Sequence, residues 1–183
     1  MIGTRRLILR PWRRSDIASL YAMGQDAEVM RYLGPPDSLA DCRRLKDRMT
    51  ESQARHGHCF WALERRSDRA FIGFCGLKRG RKGTPIAGEL EISWRLAREA
   101  WGQGLALEAA RASLSWGWRN LDAPAATAVT VPANVRSRGL MERLGMLRDP
   151  GGDFDHPDMA RGDPLRHHIR YRIARPVRPS PTR

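Results

Sequence analysis

Between the strand-like GELEISWRL (Gly88–Leu96) and the helix-forming LALEAARASL (Leu105–Leu114) stands WGQG, with glycines at 102 and 104. A strand, a glycine turn and a helix in quick succession leave few folds open. Free amides at a helix N-terminus carry partial positive charge, and glycines without β-carbons let an anion reach the backbone. The run reads as a phosphate cradle, with a tight turn that binds nothing as the alternative. It lacks the GxxxxGK-Ser/Thr order of a nucleotide loop and the third glycine of the dinucleotide fingerprint, so those two readings fall.

The remaining chain supplies a sheet and helices around this unit. TRRLILRPW (Thr4–Trp12) alternates Leu7 and Leu9 with basic neighbours and stops near Pro11, as a first strand would. Ser15 or Asp16 is the expected cap of a helix through Leu20 and Met23, GPPDS from Gly34 breaks the chain, and Ser38 opens a helix to about His56. CFWALER (Cys59–Arg65), AFIGFCGL (Ala70–Leu77) and GELEISWRL, separated by turn-rich segments, read as a meander. The helix after the glycine turn runs to about Arg119. ATAVTV (Ala126–Val131) has the β-branched content of a buried strand, which Pro132 ends. Ala133 or Asn134 then starts a helix with Leu140, Met141 and Leu144 on one side and Gly145 as its left-handed cap. HHIRYRIA (His167–Ala174) is a last strand.

A chain of 183 residues suits one domain, here residues 1–174. The Pro- and Arg-rich segment 175–183 is expected to be a disordered tail, since it cannot bury enough surface to order itself. No run approaches the roughly 18 apolar residues of a membrane span, and the first residues do not resemble a signal peptide. Cys42, Cys59 and Cys75 are irregularly spaced, which argues against a disulfide framework or zinc cage. A soluble, cytoplasmic protein without membrane contact is expected. The formal charge is +13, and thirty of the thirty-three basic residues are arginine. Such a field attracts polyanions; a base-composition bias of the genome explains it equally well.

Two runs in order carry a resemblance. Trp101–Ala106 (WGQGLA) with Glu108-Ala109, and NVRSRGLMERLGM from Asn134, are similar to motifs of the GNAT superfamily of N-acetyltransferases, in the branch of Rim enzymes that acetylate ribosomal-protein N-termini. In the superfamily pattern (Gln/Arg)-x-x-Gly-x-(Gly/Ala), Gly104 and Ala106 match, while Trp101 departs from the broad pattern and fits the branch. TRRLILRPWRRSD and FDHPDMARGDPLRHHIRYRI also resemble segments of the branch, so the likeness extends to about Ala174. It implies an α/β (α+β) fold: a mixed, mostly antiparallel, strongly twisted sheet of about six to seven strands with about four helices. The implied activity is acetyl transfer from acetyl-coenzyme A to an amine of a protein N-terminus or small molecule. Ribosome association and a monomer or homodimer belong to the same expectation.

The resemblance also implies roles. The amides of Gln103, Gly104 and Ala106 would hold the pyrophosphate, and the strand at Ser93 and Trp94 would splay from its neighbour to bond the pantetheine arm. Asn134 would bond a pantetheine amide, or simply cap its helix. Relatives often protonate the departing thiolate with a tyrosine where this chain has Met141, which donates nothing; Ser137 is the remaining hydroxyl. Glu91 is the candidate base, because Glu89 and Glu91 share a strand face, Glu91 lies nearer the acetyl group, and a partly buried carboxylate accepts protons near neutrality. Pairing of both glutamates with arginines, and deprotonation through ordered water, stay open. Arg136, Arg138 and Arg143 lie near enough to meet phosphates or form a solvated face. His156 would help line an acceptor pocket. It forms no metal site with His167, His168, Asp155 and Asp158, since adjacent histidines on a strand face opposite ways.

Two rivals remain. A nucleic-acid- or ribosome-binding protein without catalysis would need aromatic platforms among its basic residues, and Trp12, Trp61 and Tyr171 are too dispersed. An inactive acetyl-coenzyme A sensor would keep the loop; turnover with a panel of amines separates it from an enzyme.

Overall fold

Antiparallel pairing carries most of the sheet in the computed structural model, which describes residues 1–177. The last six residues of the expected tail lie outside the described residues. Strand β1 (Ile2–Gly3) pairs with β2 (Leu7–Arg10), followed by β3 (Phe60–Arg65), β4 (Phe71–Arg79) and β5 (Leu90–Leu96). The meander is therefore present as β3, β4 and β5. Next comes β6 (Ala125–Thr130), parallel to β5, and then β9 (His167–Ala174), antiparallel to β6. The short strands β7 (Leu147–Arg148) and β8 (Phe154–Asp155) also pair with β9. The nine strands among the described residues exceed the six or seven expected, because β1, β7 and β8 are two-residue pieces that leave no alternating pattern to read.

The helices are α1 (Asp16–Gln25), α2 (Ala27–Met30), α3 (Leu39–His56), α4 (Leu105–Asn120) and α5 (Val135–Arg143). Ser38 caps α3 as expected, in a reciprocal box with Asp41. The single turn α2, capped by Asp26, was not legible as periodicity. No helix among the described residues is long and apolar enough to cross a membrane. The sheet separates two layers. Cys75 and Leu77 of β4 face Ser113 and Gly117 of α4, whose buried stripe also holds Leu105, Ala109, Ala110 and Leu114. The alternate residue Phe74 stacks on Phe60 and meets Trp12 on the other face, the side of α1 and α3.

Ser15 makes no side-chain cap bond, and Asp16 has a different task from the expected one. It is buried and accepts two bonds from Arg10, at 2.8 and 2.9 Å, while Arg10 also donates to Glu64 at 2.7 Å. All three groups are at least 97% buried. They join β2, α1 and β3. Burial alone would raise the Glu64 carboxyl, but the guanidiniums of Arg10, Arg69 and Arg13 outweigh it and hold the group below its ordinary range. Glu64 therefore stabilises the fold above the unfolded carboxylate pKa, and that contribution is lost on acidification through its lower folded value. Arg10→Met removes the guanidinium partner of buried Asp16 and leaves buried Glu64 only the more exposed Arg13 and Arg69, and should cost about 3–5 kcal/mol in denaturant unfolding. The same change at the more exposed Arg65, paired with Asp68, should cost far less. Equal losses at the two positions would show that the buried network is not special.

Candidate active site

Where β5 meets β6, a single register pair, Glu91 with Thr127, joins the two parallel strands, and no ladder continues beyond it. Antiparallel register with β4 puts Glu91 opposite Lys78, Ser93 opposite Gly76 and Arg95 opposite Phe74, all on the α3 face. Trp94 pairs with Cys75 and so turns to the α4 face. Glu91 lines a cavity of about 540 Å³ with Arg48, Phe60, Lys78, Val129 and His156. Ser93 and Trp94 line a second cavity of about 410 Å³ that shares Leu45 and Arg48 with the first.

The two glutamates of the strand part company here. Glu89 accepts from the Thr127 hydroxyl and pairs with Arg170 at 3.1 Å, as in the arginine-pairing alternative. Glu91 is half-buried and accepts no hydrogen bond or ion pair from any described residue. Burial pushes its carboxyl above the ordinary range, and the nearby Lys78 ammonium only partly opposes this. A carboxyl with a raised pKa, facing a cavity and free of partners, is suited to accept a proton.

The glycine loop has its own geometry. Gly102 and Gly104 sit at φ 72° and 74°, the left-handed region that a β-carbon disfavours. A β-carbon on Gly102 would meet nothing within 4 Å, and one on Gly104 only the tip of Arg6 at 3.6 Å. The glycines are therefore required by backbone conformation, and the space before them is open. Gly104 caps the sixteen-residue α4 without a side-chain bond, and the amides of Gln103, Gly104 and Ala106 reach no acceptor among the described residues. Glu108 in the first turn of α4 accepts from Thr4 and from the amide and guanidinium of Arg6. Arg6 also donates to the Gln103 carbonyl at 2.8 Å, which fixes the loop.

Asn134 caps α5 by accepting from the Ser137 amide at 3.2 Å, so its capping role is occupied. Ser137 is half-buried, its hydroxyl has no hydrogen bond to a described residue, and Met141 is buried. Neither Asn134 nor Ser137 lines the cavity of Glu91. Arg136 stacks over the Trp101 ring at 4.8 Å, bringing α5 to the glycine loop. Arg138 instead donates to the Pro132 carbonyl.

His156 does stand in the cavity with Glu91. His168 is half-buried and stacks on Phe154 at 5.6 Å, while His167 faces Asp155 at 3.5 Å. Burial lowers the His168 imidazole. Sequence reasoning missed Lys78 and Arg48, whose only signal was a cation on a strand and on a helix. It also missed the role of Arg6, which looked like one more basic residue at the start of the chain.

A family model described as an acetyltransferase (GNAT) domain matches residues 6–147. An uncharacterized Bacillus subtilis (strain 168) protein, YkkB, is 30% identical over 147 residues, which is 78% of this chain and 83% of the relative. RimL, a ribosomal L7/L12 alpha-N-protein acetyltransferase solved with coenzyme A, aligns with a TM-score of 0.74 at 15% identity over 93% of this chain and 95% of its own. A spermidine N-acetyltransferase from Vibrio cholerae, solved with CoA and spermine, aligns with a TM-score of 0.70 at 17% identity, covering 94% and 97%. At these identities the two structures establish a shared fold. The family match spans β2 to β6, the glycine loop and α5, ending at the first residue of β7, and this chain belongs to the GNAT acetyltransferases.

Proposed function

We propose that this acetyltransferase moves the acetyl group of acetyl-coenzyme A to a primary amine seated in the cavity beside Glu91. The observation that carries the reading is a half-buried, unpartnered carboxylate at the point where β5 and β6 part. The coenzyme fits the residues present: three amides without acceptors among the described residues, at a helix N-terminus with no side-chain cap bond, with open space before two glycines. Bound there, acetyl-coenzyme A supplies the activated acyl group as a thioester. Gln103, Gly104 and Ala106 would hold its pyrophosphate through their amides. The backbone at Ser93 and Trp94, with Asn134, would hold its pantetheine arm.

Glu91 accepts the proton of the incoming ammonium, directly or through a water, so that a neutral amine faces the acyl carbon. Ser137 donates the proton that the departing sulfur requires. Among solved neighbours, one is named for a protein N-terminus and another for spermidine, so both acceptor kinds are within reach of the fold. A cytoplasmic setting, and association with ribosomes, follow from the first kind by analogy.

Acetyl-coenzyme A should raise the melting temperature of the protein. Gly104→Val should remove that rise, and it should also lower the melting temperature without coenzyme, since a side chain at φ 74° costs about 1–2 kcal/mol. Retained coenzyme affinity in this variant, measured by titration calorimetry, would move the phosphate site elsewhere.

Glu91→Gln should lower turnover roughly 10²–10⁴-fold. Activity of the wild type should fall as the pH drops through a value above the ordinary carboxylate range, because the base must be ionised. The stability sign runs the other way. A carboxyl whose folded pKa is raised loses stability as pH rises from the unfolded towards the folded value, and the loss persists above both. Glu91→Gln should therefore melt higher than wild type at neutral pH, with the gap closing below about pH 4. A variant that loses both activity and stability would mark Glu91 as structural. Ser137→Ala should lower turnover while coenzyme affinity stays within a few-fold; unchanged single-turnover rates would remove Ser137 from the reaction.

A further inference from the structure

The cavity of Glu91 carries more positive charge than its own carboxylates can balance. Arg55 pairs with Glu51 at 2.8 Å and Arg81 pairs with Asp158, so these two cations are compensated. Arg48, Lys78 and Arg79 line the same cavity, and none has a carboxylate within 4 Å among the described residues. Lys78 is the telling one. It is half-buried, lies across the strand from Glu91, and its ammonium rests 5.7 Å over the Phe60 ring with a bond to the Arg79 carbonyl at 3.1 Å. Partial burial of an ammonium whose facing carboxylate, that of Glu91, stays beyond ion-pair distance is costly, and a ring face with one carbonyl offsets it only in part.

His156 adds an imidazole N–H. Its Nδ1 accepts from the Asp158 amide at 3.3 Å, so in the neutral ring the proton sits on Nε2. An imidazole N–H and uncompensated cations around one reactive carboxylate match an acceptor that brings its own anion. A polyamine does the reverse, carrying further ammonium groups into a field that repels them.

We infer that the acceptor is an anionic amine, a primary amine on a carrier with a carboxylate close by, such as a free acidic amino acid or an acidic peptide N-terminus. The inference rests on the acetyl-transfer reading above and names its substrate class. Lys78 and Arg48 act in it as determinants of specificity, holding the carboxylate while Glu91 receives the proton.

The test is acetylation by the full chain with acetyl-coenzyme A, at low salt, across matched acceptors. One pair is glutamate and its diamide. The second is a tetrapeptide with glutamates after its first residue and the same peptide with glutamines. Spermidine is the polycation. In at least one pair the acid should exceed its amide by roughly tenfold or more in kcat/KM, mainly through KM, with spermidine poorest. The pair that responds tells the free amino acid from the peptide. Lys78→Gln should bring the acid-to-amide ratio towards one, Lys78→Arg should keep it, and the exposed Arg48→Gln should lower it even if Lys78→Gln folds poorly. Equal use of acids and amides, preference for spermidine, or a ratio indifferent to both glutamine variants would overturn the inference while leaving acetyl transfer intact. Acetylation of none of the five, with the coenzyme bound, would sink the transfer reading and this inference with it.

Discussion

The site depends on one interrupted contact. On one side β5 is zipped to β4 along its full length, and on the other β6 is zipped to β9, so each half of the sheet is held by its own ladder. Between the halves only Glu91 and Thr127 are in register. A fully paired parallel ladder there would close the sheet and cover its backbone groups; a single pair leaves the two backbones in register at one point, with Glu89 bridging to Thr127 and Arg170 through its side chain. The half-buried carboxylate stands at that point, where a ligand lying between the strands would meet both the sheet and the cavity. Chain connectivity then places the glycine loop. β5 ends at Leu96, whose carbonyl accepts from the Trp101 indole at 2.8 Å, and α4 begins at Leu105, four residues after Trp101.

A second carboxylate sets the loop's electrostatics. Glu108 in the first turn of α4 suits the positive end of the helix, yet an anion there would compete with a phosphate. Thr4 and Arg6 resolve the conflict by taking both oxygens of Glu108 into bonds with the start of the chain. Burial would raise this carboxyl, but those bonds prevail and hold it below the ordinary range. The negative charge is thus spent on a strand-to-helix tie, and the second arm of Arg6 reaches the Gln103 carbonyl beside the open amides. The Glu-Ala pair after the glycine loop has a physical reason in this lock.

The parts of this arrangement that were legible are those written locally. The glycine turn, the Ser38 cap and the three strands of the meander each announce themselves through turn chemistry or period-two alternation, and the structure has them in place. What was hidden depends on register. Pairing of Lys78 with Glu91 follows from the alignment of β4 against β5, which a one-residue slip would reverse, and no local pattern fixes it. Arg10 looked like a basic neighbour on the outer side of a strand. It is buried because Asp16 and Glu64 arrive from different elements to meet it. Position along the strand already favoured Glu91 over Glu89 in sequence, but the partners that occupy Glu89, Thr127 of β6 and Arg170 of β9, come from distant elements that no local pattern announces.

Burial and charge act together on the proton transfer that the cavity would host. Desolvation raises the Glu91 carboxyl and makes it a better acceptor, while Lys78 limits that rise and keeps the group ionisable. The same cations would disfavour the ammonium form of an amine entering the cavity, lowering its pKa towards that of a carboxylate base. An α-amine begins this approach near 7.7–8.0 and a lysine-type amine near 10.4, so the α-amine needs the smaller shift to present a free lone pair at neutral pH. A carboxylate on the acceptor raises the pKa of its own amine in water. Paired with Lys78 and Arg48, as proposed, it would no longer do so, and the cost of holding those cations beyond ion-pair distance of a carboxylate would be offset in the same event. The charge that looks unbalanced in the protein alone would therefore be balanced in the complex with an anionic amine.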